Sequence, residues 1–492
     1  MSPILILITI AVYFVVLFTL SYFTGRKADN AGFFSGNRKS SWYVVAFATI
    51  GAAISGVTFV SVPGMVAEKG FSYLQMVLGF AVGQLLIAFV LITLFYRMNL
   101  VSIYEYLNKR FGLATYRTGA WLFFVSKMMG ASIRLFIVCV VLQLLVFTPL
   151  GLGFIFNVIF TVGIVWVYTF RGGVKTLIWT DSFKTFCLIV SVGLCIYYIA
   201  SNLGTGGGSI FSTVFSSDMS KIFFFDDVND QRYFFKQFLA GVFTVIAITG
   251  LDQDLMQKSL SCKNHKDSQK NMITGGIMQI FINLLFLVLG VLLYSYATKN
   301  AIELPSKDGR VIGDEVFPFL ATQGFFPVVV SFLFIIGLIS AAYAAAGSAL
   351  TALTTSFTID ILKGVKEKTE KETKVTRHRV HLGMAIVMGL VIYAINMLNN
   401  ASVIDTVYKL ASYTYGPLLG MFVFGIFTKW EIRDKWAPFV AITSPLLCLI
   451  LDLNSKEWFN GYQFSHERLI FNALFTFIGL FLLIRRKTAF NK

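Results

Sequence analysis

Thirteen apolar runs, each long enough to cross a bilayer, dominate this 492-residue chain. They lie at roughly 3–24, 42–66, 72–96, 118–148, 151–170, 179–201, 234–252, 273–297, 317–359, 380–399, 404–427, 436–452 and 466–484, and a helical crossing takes about 20 residues. Lipid offers the backbone no hydrogen-bond partner, so a run of this length must bond within itself, as a helix does. The chain is 13% charged and 56% hydrophobic, with mean hydropathy +0.74, whereas a soluble domain is about a quarter charged. Fifty-one Phe and 40 Gly against 9 Pro suit lipid-facing helices packed through small residues. Soluble enzymes, nucleic-acid binders and disordered scaffolds are excluded. The expectation is an all-α membrane protein of about 13 transmembrane helices. The 317–359 run reads as a short external segment (317–326) leading into one long tilted helix.

The net charge of +16 is explained by where the basic residues sit. With the N-terminus outside, the inward loops 25–40, 97–117, 171–184, 252–270, 360–379, 429–435 and 485–492 carry 29 Lys and Arg, and the outward loops carry 9. The remaining three, Lys127, Arg134 and Lys409, lie within spans. This asymmetry places the C-terminus in the cytoplasm, in a plasma or bacterial inner membrane, and requires no nucleic-acid partner. The connector KGVKEKTEKETKVTRHR (363–379) reads as solvated and cytoplasmic. The acidic, Gly/Ser-rich outward loops 202–233 and 298–316 suit the rim of an external vestibule. The N-terminal apolar stretch lacks a basic leader and a small-residue cleavage site, so it reads as a retained span. The five cysteines form no CxxC or Cys/His cluster and are taken as filler.

Function in such a chain is sought where polarity interrupts a span. In TIGAAISGVTFVSVPG, the residues Gly51, Ser55, Gly56, Thr58, Ser61 and Pro63 crowd one run. Gly, Ser and Pro each weaken a helix differently. A broken helix with freed carbonyls is expected there, with tight packing through small residues as the alternative. LISAAYAAAGSALTALTTSFTID (338–360) is a second small-residue face, able to offer oxygens to a hard cation. Arg134 has about ten apolar residues beyond it, too many for snorkelling, and its fork suits a carboxylate. The alternative is an ion pair with Asp181 or Asp252. Lys127 reads as able to snorkel. Gln75 and Gln84 are candidates to bind a polyol or to tie helices together. Asp181 either caps a helix N-terminus or supplies charge to a cation. GLDQDLMQKSL (250–260) reads as an inner gate or solvated span end, and the four histidines as loop or span-end residues.

TIGAAISGVTFVSVPG, SIYEYLNKRFG, FRGGVKTLIWTDSFKTF, the 338–360 helix ending in TID and YGPLLGMFVFGIFTK, in that order, resemble the sodium:solute symporters over roughly residues 30–430. The resemblance implies a leucine-transporter-like fold with 5+5 inverted repeats, one leading helix and two trailing ones. The implied division is a leading helix (1–30), a first repeat (31–201), an external loop (202–233), a second repeat (234–430) and trailing helices with a short tail (431–492). It also implies sodium ligation by carbonyls at Gly51, Ile54 and Ala341 and by two hydroxyls, at positions that here are Ala344 and Ala345. A second cation site in some relatives maps onto Gly347, Ser348 and Asp181. Neither alanine has a side-chain oxygen, nor has Gly347, so the chain departs from the pattern where sodium is held. Ser55, Gly56, Thr58, Gln75, Gln84 and Arg134 are the candidate solute residues.

The expected function is import of a small polar solute, anionic or sugar-like, by alternating access, with sodium coupling implied by the family. The alternatives are a sodium-independent or proton-linked facilitator and a solute sensor that has lost coupled transport. An enzyme is not expected, because no catalytic His/Asp or Cys/His cluster falls at membrane depth.

Overall fold

The computed structural model describes residues 3–485 except 27–28, 171–172, 205–208, 308, 363–368, 399–402, 463 and 465. The middle of the 363–379 connector therefore lies outside the described residues. The path is helical: α1 (Pro3–Gly25), α2 (Trp42–Ala53), α3 (Gly56–Gly64), α4 (Tyr73–Arg97), α5 (Leu113–Phe147), α6 (Phe154–Thr169) and α7 (Gly173–Asn202). It continues with α8 (Phe234–Gly250), α9 (Gln253–Ser259), α10 (His265–Lys299), α11 (Gly313–Thr322), α12 (Val328–Ile361), α13 (Glu370–Met397), α14 (Val403–Phe427), α15 (Asp434–Leu453) and α16 (Arg468–Leu482). Among the described residues, nine helices are long and apolar enough to cross a membrane, and α2–α3 and α8–α9 are bent pairs. The shorter apolar helices α6 and α16 fall on the two runs that remain. The segment before α12, expected over 317–326, is the separate helix α11 at Gly313–Thr322. A short hairpin, Ser306–Lys307 against Arg310–Val311, decorates the loop before it.

Both bends have local causes. Helix α2 stops where Ile54 and Ser55 turn extended (φ −85°, ψ 113° and φ −100°, ψ 170°), and α3 leaves at 63°. Ser55 forms no side-chain cap, so the first N–H groups of α3 are left without one. The second bend, 73°, follows Gly250 and Leu251. There the Asp252 carboxylate caps α9, accepting from the Asp254 N–H at 2.8 Å, a cap generally contributing about 1 kcal/mol. Each bend exposes helix ends in the middle of the bundle, where a ligand can use them.

Burial sorts the helices. The most apolar stretch of α12 is 78% buried, against 28% for α15, whose Phe439, Ile442 and Leu453 are among the most exposed side chains. Thus α12 is central and α15 faces lipid. Helices α4 and α8 cross through Gly79 and Gly241. A Cβ on Gly241 would strike the Met76 carbonyl, and one on Gly79 the Phe238 carbonyl. Near the start of α4, Gln75 anchors the loop before α8, donating to the Arg232 carbonyl at 2.8 Å. In that loop, hydrogen bonds from Arg232 hold the Asp230 carboxyl below its usual range.

Several sequence expectations change here. Helix α7 begins at Gly173, so Asp181 lies two turns inside it and caps nothing. Lys127 is buried rather than snorkelling, and Asp252, Asp254 and Lys258 are buried rather than solvated. His381 is fully buried within α13, hydrogen-bonded to Thr169 at 2.9 Å and to Thr354 at 2.8 Å.

Candidate functional site

Two adjoining regions form where the bends meet the straight helices. The first is a central cavity with about 80 Å³ open to the centres of water-sized groups. Both breaks contribute to its wall, with Ile54, Ser55 and Thr58 from one and Val245, Thr249 and Asp252 from the other. Arg134 from α5 also lines it and, among the described residues, forms no hydrogen bond or ion pair with the protein. The alternative of a structural pair is thus not what is seen. Asp252 instead takes Lys127 at 3.0 Å and the Tyr415 hydroxyl at 2.6 Å, and Asp181 lies in the second region. Asn283 on α10 completes the wall. Its amide nitrogen donates to the Gln279 carbonyl at 2.7 Å, which leaves its oxygen buried without a partner.

The other expected solute residues lie elsewhere. Gln75 is wholly buried and spends its amide on the loop before α8. Gln84 donates to Gln279 Oε1 at 2.8 Å, tying α4 to α10. A helix turns 100° per residue, so positions 75 and 84 point to opposite faces and cannot share a site. Tyr73 and Phe80, seven apart and on one face, are the α4 residues that line the cavity. Gly56 packs against α12, where a Cβ would sit 3.3 Å from that of Ala342.

The second region lies where α2, α7, α9 and α12 converge. Gly51 lets α2 lie against α7, because a Cβ there would overlap the Thr185 hydroxyl and approach the Asp181 carbonyl to 3.1 Å. Across from it, Ser348 on α12 donates to Asp181 Oδ2 at 2.9 Å. The structure therefore brings Gly51, Asp181 and Ser348 to one place. Ala341, Ala344 and Ala345 are buried on the same helix, their side chains ending in methyl groups. Gly347 makes room for the Tyr168 hydroxyl, which donates to the Tyr343 carbonyl.

Two lysines complete this region. Lys258 on α9 donates to Asp181 Oδ2 at 2.6 Å and to the Ser348 hydroxyl. Lys184 donates to Asp181 Oδ1 and to the Tyr343 carbonyl, both at 3.2 Å, and lies 4.0 Å over the Tyr168 ring. Each Asp181 oxygen thus already holds an ammonium. The ion pairs continue toward the cavity. Asp254 lies 4.0 Å from Lys258 and 2.8 Å from Lys127, and Lys127 reaches Asp252. Three aspartates and three lysines, all buried, form one balanced chain. Sequence reasoning passed over Lys184 and Lys258. The available signals were Asp181–Lys184 at i,i+3 and Asp254–Lys258 at i,i+4, spacings that share a helix face.

A hard cation prefers oxygen ligands. Here the carboxylate and the hydroxyl that would serve a sodium ion are engaged by the protein's own ammonium groups, and the two positions expected to add hydroxyls are alanines. The Asp181–Ser348 donor set therefore does not fit a bound sodium ion, while at the neighbouring site Gly51, Ile54 and Ala341 are left with main-chain oxygens alone to offer.

The family model described as the sodium:solute symporter family matches residues 33–432. The sodium/sialic acid symporter NanT of Aliivibrio fischeri is 25% identical over 424 residues, covering 83% of this chain and 80% of that protein. Human sodium-coupled monocarboxylate transporter 2 is 25% identical over 428 residues, covering 82% of this chain, which spans 65% of the human protein. A solved substrate-bound, outward-open sodium-coupled sialic acid symporter superposes with a TM-score of 0.80 at 18% identity, covering 97% of both chains. With two broken helices at the centre of the bundle and a family match across most of its length, the chain belongs to the sodium:solute symporter family and is a multi-pass membrane transporter of leucine-transporter-like fold.

Proposed function

We propose that this transporter imports a short hydroxylated monocarboxylate by alternating access, with the carboxylate held by Arg134. The observation that carries this reading is the unpaired guanidinium on the wall of the central cavity. A charged fork without a partner at membrane depth invites a bidentate anion. The uncapped N-terminus of α3, beside Ser55 and Thr58, adds positive dipole from the facing wall. Asn283, on the same wall, has a spare amide oxygen that a turn of its side chain would present to a hydroxyl on the solute. Size supports the same class. The cavity leaves only about 80 Å³ to the centres of water-sized groups, which favours a small solute such as lactate or glycerate.

The test is thermal stability of the purified full chain with matched acids and amides, such as lactate against lactamide. Ligands that bind the folded state raise its apparent stability. The acid is expected to raise the melting temperature and the amide to leave it unchanged. A charged hydrogen bond contributes about 1.5–3 kcal/mol, so Arg134→Ala is expected to weaken the acid roughly 10- to 100-fold. Arg134→Lys should recover only part, because it loses the fork. Equal binding of acid and amide, or unchanged affinity in both variants, rejects this role for Arg134.

The two bends lie in the first span of each half, which supports inverted repeats over 31–201 and 234–430. The excess of basic residues in alternate loops supports a cytoplasmic position for residue 370 and an external one for residue 220. Reporters fused after these residues should score inside and outside respectively, and an external 370 reverses the topology.

A further inference from the structure

We propose that the Lys258 ammonium is the resident cation of the Asp181–Ser348 site, so that this transporter completes its cycle without binding sodium there. The inference does not depend on which solute the cavity takes. It starts from a donor set that is already full. Lys258 Nζ lies 2.6 Å from Asp181 Oδ2 and donates to the Ser348 hydroxyl, and Ser348 itself donates to the same carboxylate oxygen at 2.9 Å. The other carboxylate oxygen holds Lys184, 3.2 Å away. All four side chains are buried, at 0% exposure for Asp181 and Lys184 and 1% for Lys258 and Ser348. A lone carboxylate at this depth would need a soluble cation, whereas this one has two that are covalently attached to the chain.

Charge balance points the same way. Asp181, Asp254 and Asp252 are matched by Lys184, Lys258 and Lys127 through contacts of 2.6 to 4.0 Å. A sodium ion added beside Asp181 has no uncompensated negative charge to neutralise. Like charges about 4 Å apart in a partly screened interior weaken binding on the order of a thousandfold. Ala344 and Ala345, buried on α12 within one turn of Ser348, add no side-chain oxygen that could compete with the ammonium for a cation.

The lysine also has the reach to do the ion's mechanical work. Its backbone is on α9, the inner half of the second broken helix, while its partners are on the straight helices α7 and α12. It therefore fastens a bent element to the central pair. Through Asp254, Lys127 and Asp252 the same chain of charges ends on the wall of the solute cavity. This chain of contacts gives any coupling between solute and cation site a route made of the protein's own residues.

The test needs sodium alone and no solute. Binding of radioactive sodium to the purified full chain is measured from zero to about 100 mM, with choline holding ionic strength constant and Asp181→Asn as the blank. The wild type is expected to show no saturable binding at this site. Lys258→Ala removes the tethered cation and is expected to gain saturable binding, by up to about a thousandfold. Adding Ala344→Ser and Ala345→Ser should sharpen that gain. Saturable millimolar binding by the wild type that Asp181→Asn abolishes overturns the proposal. So does a folded Lys258→Ala protein that gains no binding with or without the two serines. If the Lys258 variants do not fold, the wild-type titration decides alone: saturation overturns the proposal and its absence supports it. Failure of lactate to bind at Arg134 leaves this outcome unchanged, so the two readings stand or fall separately.

Discussion

Asp181→Asn is expected to destabilise the protein by about 3–5 kcal/mol, the range for removing one partner of a buried ion pair. The substitution keeps the volume and removes the charge. It strands Lys184 and Lys258, whose side chains have no water to turn to. Lower yield from membranes and a lower melting temperature in detergent are the readouts. Lys184→Met in the same background should recover part of the loss, because it removes one of the two stranded ammonium groups. The double change is thus expected to be milder than the sum of the single changes, as for residues in direct contact. Additive effects would mean that Lys184 and Asp181 do not interact in the folded protein.

The fold was legible because lipid leaves a sequence few options. Twenty apolar residues without internal partners become a helix, so the placement of the apolar helices could be read directly. The first break was legible too, since Gly51, Ile54, Ser55 and Gly56 concentrate small and β-branched residues in the middle of an apolar run. The second break was harder to see. Leu251 and Asp252 follow the apolar residues of α8, and a charged residue in that place reads as the end of a span rather than its middle. Only the packing of Lys127 and Tyr415 around Asp252 shows that this acid is interior.

The candidate site was legible in part, and the reason is distance along the chain. Arg134, Ser55 and Thr58 could be singled out because each is polar within an apolar run, and all three line the cavity. Gln75 and Gln84 met the same criterion and do not line it, since polarity alone does not say which face of a helix a residue occupies. Lys258 lies 77 positions from Asp181. No local pattern announces that these two meet, or that Ser348, a further 90 positions on from Lys258, joins them. The hydroxyls missing at Ala344 and Ala345 were visible in the sequence. What takes the place of the ion was visible only once α7, α9 and α12 had been brought together.

Counterflow in proteoliposomes tests the central claim most directly. Vesicles holding the purified full chain are loaded with unlabelled lactate and diluted into trace labelled lactate, once in choline chloride and once in sodium chloride. Exchange through an alternating-access site draws label inward without a net driving force. Equal transient accumulation in the two salts is expected, with Arg134→Ala lowering it by roughly 10- to 100-fold at limiting solute. Accumulation that requires sodium, or that Arg134→Ala leaves untouched, would contradict a transporter that holds its solute through Arg134 and carries its own cation in Lys258.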